Sequence, residues 1–166
     1  MMLIRQWPAA IRRFIFIYML ITTTGLMIGL AFVRNETNLS SAGIREHYNG
    51  TDPQDDLNDD IKFEKSAKDL LLTTHNHILG LSSVFFITAA LFWFTGWFSE
   101  TWRLVIMAEP LVALVTTFGG IWVLRFISGM EWITWFIMLS GLSMFITFGL
   151  MSVAILTETI RKGKSA

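Results

Sequence analysis

Four long apolar runs fix what this chain can become. Phe14 to Val33, Ile78 to Phe98 and Trp132 to Leu156 hold no charged side chain, and Leu104 to Leu124 holds only Glu109. Each reaches the ~20 residues that a helix needs to cross a ~30 Å hydrocarbon core. Lipid offers no hydrogen bonds to an open backbone, so each run is expected as a helix that satisfies its own N–H and C=O groups. The fold class that follows is all-α: an integral membrane four-helix bundle, a single membrane domain over residues 1–166, with one outer loop of about 40 residues.

Composition agrees. Apolar residues make up 53% and charged residues 16% of the chain, whereas a soluble domain is nearer 25% charged. Mean hydropathy is +0.54. Formal net charge is zero, which gives no reason to expect nucleic acid as a partner. Cysteine is absent, so disulfides, thiolate metal sites and thiol nucleophiles are excluded.

The spans are placed at about 14–33, 64–98, 104–124 and 132–156, with the outer loop at 34–63. The second span is expected to start early, because FEKSAKDLLLTTHNH is rich in helix formers and has neither Gly nor Pro. The first is read as an uncleaved anchor, being too long and too evenly apolar for a signal-peptide core. Inside the loop, DPQDDLNDD from Asp52 to Asp60 reads as an acidic, mobile stretch opened by a proline turn. Three Asn-x-Ser/Thr triplets begin at Asn35, Asn38 and Asn49. They would accept glycans in a eukaryotic secretory protein. The short basic N-terminus and compact chain point instead to a bacterial inner membrane.

Orientation follows from basic residues in short flanks. Arg5, Arg12 and Arg13 precede the first span, Arg103 lies in the turn after the second, and Arg161, Lys162 and Lys164 follow the fourth. Both termini are therefore expected in the cytoplasm. Trp93, Trp97 and Trp102 would mark the inner interface, and Trp122, Trp132 and Trp135 the outer one. Gly25-x-x-x-Gly29 and the stretch from Gly141 to Gly149 offer small residues for close helix contact. Arg125 and Glu131 flank the outer turn and are expected to pair.

All three histidines fall on the outer side: His47 in the loop, His75 and His77 at the head of the second span. Imidazole is the commonest biological ligand for Zn, Cu, Fe and haem. Residues two apart on a regular helix point ~200° apart, so His75 and His77 do not chelate one ion from such a helix. Either one faces the bundle and the other meets His47, or the helix is irregular and all three converge, with Glu46 adding a carboxylate. The cofactor would be a transition metal (Cu, Fe or Zn) or a haem b near the outer surface. A haem held by two histidines at mid-membrane is excluded, because the other three spans contain no histidine. The competing explanation treats the histidines as interfacial anchors for a helix end.

Glu109 is the other candidate. An acid inside a span costs a few kcal/mol and marks a functional position by default. Pro110 follows it and removes the N–H partner of the Ile106 carbonyl, so a kink is expected. A cation, a proton or another subunit would meet Glu109 there; a bond to Arg103 is the structural alternative. No nucleophile elbow, P-loop or Rossmann glycine pattern is present, and enzymatic activity is left open.

EHYNG (Glu46 to Gly50) followed by FEKSAKDLLLTTHNH (Phe63 to His77) resembles a family of small bacterial four-span inner-membrane proteins with His-Tyr-x-Gly and Thr-His-x-His motifs. The resemblance implies that a site includes His47, Tyr48, Gly50, Thr74, His75 and His77. The functional expectation is a metal- or haem-binding accessory or electron-transfer component of a membrane complex, embedded in the lipid bilayer with other subunits or further copies of itself. The alternative is a cofactor-free structural subunit or assembly factor. A small transporter centred on Glu109 is a third reading.

Overall fold

The computed structural model describes residues 2–51 and 61–161. The acidic stretch 52–60 and the basic tail from Lys162 onward lie outside the described residues. A 3-10 turn, Ile4–Gln6, precedes five helices: α1 (Ala9–Thr37), α2 (Ser41–Asn49), α3 (Ala67–Trp93), α4 (Glu100–Phe126) and α5 (Ile133–Ile160). Helices α1, α3, α4 and α5 are long and apolar enough to cross a membrane, and no strand occurs among the described residues. The protein is a multi-pass membrane protein built as an all-α bundle.

Local chemistry sets the helix ends. Pro8 stands just before α1, where its fixed φ suits a helix start. Asn38 and Leu39 close α1 with φ of 50° and 51°. Ser66 caps α3, its hydroxyl oxygen accepting the Asp69 N–H at 3.2 Å. The turn into α4 contains Gly96 and Phe98 at positive φ, 69° and 64°, which ends α3 at Trp93 rather than at 98. Pro110 does not interrupt α4, which runs continuously through it.

Helices α4 and α5 form the most extensive pair, α3 lies against both, and α1 leans on α5 and α2. Phe85, Phe92, Leu114, Phe148, Met151, Ala154 and Ile155 are buried at the centre. The outward faces are apolar too: Phe14, Ile21, Phe86, Val112 and Ile146 are exposed. Such a surface suits a helix bundle solvated by lipid, where close packing rather than water exclusion holds the helices together. Within the spans the tightest glycine is Gly120, where an added Cβ would lie 2.8 Å from Ile137 Cγ1. Gly25, Gly29, Gly141 and Gly149, expected as contact points, have nothing within 4 Å of that position.

The segment between α1 and α3 differs from the plain loop expected. Nine of its residues form α2, which the sequence reading missed. The Ser40 hydroxyl oxygen accepts the Gly43 N–H at 3.0 Å and starts this helix. Ile44 and Tyr48, four apart, turn one apolar side toward the bundle.

Candidate functional site

Helix α2 and the returning strand of chain close the end of the bundle away from the termini. At its start, Gly43 passes so close to Thr37 that an added Cβ would lie 2.0 Å from the Thr37 carbonyl oxygen. The Ser41 and Thr134 hydroxyls meet at 2.5 Å. The amide of Asn49 donates to the Leu124 carbonyl at 3.3 Å, using one of the orphan acceptors at the end of α4. Gly50 then takes φ +86°, and a Cβ there would sit 3.0 Å from Glu64 N and Lys62 O. Thr51 N–H donates to Lys62 O, and Lys65 N–H to Tyr48 O, both at 3.0 Å. Arg125 fastens the return, donating from Nε to Lys65 O at 2.8 Å and pairing with Glu64 at 2.9 Å. Glu131 pairs with Arg45 at 3.4 Å. The expected Arg125–Glu131 pair is replaced by these two, because the returning chain and α2 bring opposite charges closer.

The residues singled out from the sequence fall into this cap, in different places. His47 Nδ1 lies 3.2 Å from Glu36 Oε2, and its ring sits edge-on to Tyr48 at 4.8 Å. Burial lowers the His47 pKa below its ordinary value, Lys65 adds to this, and Glu36 opposes it. Burial also pushes the Tyr48 phenol up to about 12. Glu46 faces Lys62 Nζ at 3.6 Å, and the same ammonium reaches the Glu36 carbonyl at 3.3 Å.

His75 and His77 head elsewhere. Helix α3 is regular through them, so they take the divergent directions that a spacing of two demands. His77 Nδ1 is 2.8 Å from the Thr73 carbonyl. A carbonyl only accepts, so this nitrogen carries the proton. The His77 ring rests against Phe118 of α4, 5.2 Å between centroids. His75 is exposed. Thr74, just before them in the motif, accepts the Trp122 indole N–H at 2.9 Å. Among the described residues, no three His, Asp or Glu side chains come together in a set that could hold a metal ion.

Glu109 is bonded across the bundle rather than to Arg103. Its carboxyl meets the Thr147 hydroxyl of α5, while Arg103 reaches the Trp93 carbonyl at 2.9 Å and lies over the Trp93 ring. One step toward the cap, Thr117 of α4 bonds Ser140 of α5 at 2.8 Å. Thr134, Ser140 and Thr147 thus form a hydroxyl seam along α5. Its spacing of six to seven residues is the legible signal that the sequence reading passed over. Glu158, with a side chain only 1% exposed, was missed as well, because it stands just past the last apolar run.

The Aq_1264_TM family model, a transmembrane helical domain, matches residues 38–166. That match takes in α2 to α5 and leaves out α1. No curated protein and no solved structure matches the chain.

Proposed function

The chain belongs to the Aq_1264_TM family of transmembrane helical domains, and from that premise we propose a cofactor-independent structural subunit or assembly partner of a membrane complex. The observation that carries this reading is α1. Only 11% of its most apolar window is buried, against 33% in α4 and α5. Gly25 and Gly29 face open space one turn apart, leaving room for another transmembrane helix to approach closely. The polar chemistry of the cap supports the same reading. His47, Glu46 and Glu36 are matched to one another and to Lys62, and the ring nitrogen of His77 is used on its own helix. The short basic flanks support a bacterial inner membrane with both termini in the cytoplasm.

The test is the size of the solubilised assembly. The full chain is expected in a particle larger than a monomer, whether with further copies or with other subunits. Gly25→Leu with Gly29→Leu should release the monomer while leaving helicity unchanged. A wild-type monomer in mild detergent would remove the support. The histidine-bound metal or haem reading makes a separate demand: a Soret band, or a transition metal at one per chain that is lost in His47→Ala and His77→Ala. That result would replace the structural reading with the cofactor one.

A further inference from the structure

At the termini end, the chain's N-terminal turn tucks beneath the bundle. Ile4 is fully buried, its N–H donating to the Phe94 carbonyl at 3.0 Å, and the Trp7 ring lies 5.3 Å from that of Phe94. This anchoring carries Arg5 to Glu158, Nε to Oε2 3.8 Å. Arg161 approaches the other oxygen at 3.5 Å. Arg12, in the first turn of α1, donates Nη1 to the Arg161 carbonyl at 2.6 Å. Two guanidiniums therefore flank a single buried carboxylate, and a third, that of Arg12, joins them through the Arg161 main chain.

The charges in this cluster do not balance. Among the described residues, three arginines against one glutamate leave two positive charges in excess. Neither Arg5 nor Arg161 is within ordinary N–H···O range of Glu158, which ends at ~3.2 Å. Their donors are thus not used up there. Arg12 Nε is buried with no hydrogen-bond partner among the described residues. Arg5 and Arg161 keep 39% and 56% of their side-chain surface open. Ile160, exposed and next in sequence to Arg161, adds apolar surface at this level.

We infer that the Arg5–Arg12–Arg161 cluster binds the phosphate headgroup of an acidic phospholipid from the leaflet at the termini end. Guanidinium forks match phosphate oxygens in geometry and charge. Headgroup phosphates lie at the level where these helices leave the hydrocarbon, which favours a lipid over free phosphate. Glu158 acts as the fixed counter-charge that keeps the arginines gathered when the headgroup leaves.

The experiment is native mass spectrometry of the full chain released from micelles holding equal phosphatidylcholine and phosphatidylglycerol. The expected result is preferential retention of one phosphatidylglycerol. Arg12→Gln should weaken that retention about tenfold, the worth of one charge-assisted contact. Arg12→Lys, which keeps the charge and loses the fork, should fall between. Arg13→Gln, exposed and outside the cluster, should leave retention intact. Circular dichroism on the same samples separates lost binding from lost folding, and Arg5→Gln provides a second variant should Arg12→Gln not fold. Equal retention of the two lipids overturns the inference. So does equal loss in Arg13→Gln, which would mean diffuse charge, or displacement by matched inorganic phosphate, which would mean a free-anion site.

Discussion

His47 meets Glu36 at 3.2 Å, yet the neighbourhood of that imidazole disfavours its charge. Burial is the largest influence, Lys65 is next, and Lys62 adds to both; Glu36 alone pulls the other way. The folded pKa lies below 6.5, so the unfolded chain holds more protons just beneath that pH. Stability is then full above about 6.5 and falls as pH drops through the folded pKa. The midpoint of thermal unfolding in detergent is expected to decline as pH falls below about 6.5. His47→Gln should flatten that decline; an unchanged slope would mean another group controls it.

Two glycines hold the cap's shape. Gly43→Ala places a methyl 2.0 Å from a backbone oxygen, so α2 must shift, at about 1–3 kcal/mol. Gly50→Ala adds strain at φ +86°, worth about 1–2 kcal/mol. Both variants should speed proteolysis in the segment between α1 and α3 while leaving the spans helical. Unaltered cleavage in Gly43→Ala would show that α2 is not clamped at Thr37.

The Glu109–Thr147 contact ties α4 to α5 inside the membrane. Interhelical bonds of this kind couple by about 0.6 kcal/mol, at most ~1.7. A double-mutant cycle with Glu109→Leu and Thr147→Val should return a value in that range. Glu109→Gln, which can still bond the hydroxyl, should retain most of it. No coupling would free Glu109 for the transport role that its position suggests.

Adjacent phenylalanines should behave oppositely. Phe85 is 0% exposed and its ring lies 5.9 Å from that of Phe148, while Phe86 is 67% exposed. Phe85→Ala should cost about 3–5 kcal/mol, and Phe86→Ala less than ~0.5 kcal/mol. Chemical unfolding of the two variants in one detergent checks both. Equal losses would mean that lipid-side contacts matter as much as the core.

The four spans were legible because about 20 apolar residues in a row admit little besides a membrane helix. Their packing was not. Gly25, Gly29 and Gly141 looked like contact points and are open, whereas Gly120 is the tight one; both kinds sit in equally apolar surroundings, and only tertiary placement separates them. Helix α2 was hidden because nine residues give a weak periodic signal. The motif residues His47, Tyr48 and Gly50 stand together in and just after α2, while Thr74 lies on α3. In the structure they serve the cap through an ion pair, a buried ring, a positive φ and a bond to Trp122. Spacing alone showed that His75 and His77 diverge. It could not show which way each would face.

The placement of α1 has a consequence for biogenesis. Its main partner among the other spans is α5, with two hydrophobic segments, α3 and α4, synthesised between them. During stepwise insertion α1 must therefore reside in the bilayer without its partner until α5 has followed. Its even, uncharged run from Phe14 to Val33 equips it for that solitary interval, since a helix of this kind needs only lipid to be stable.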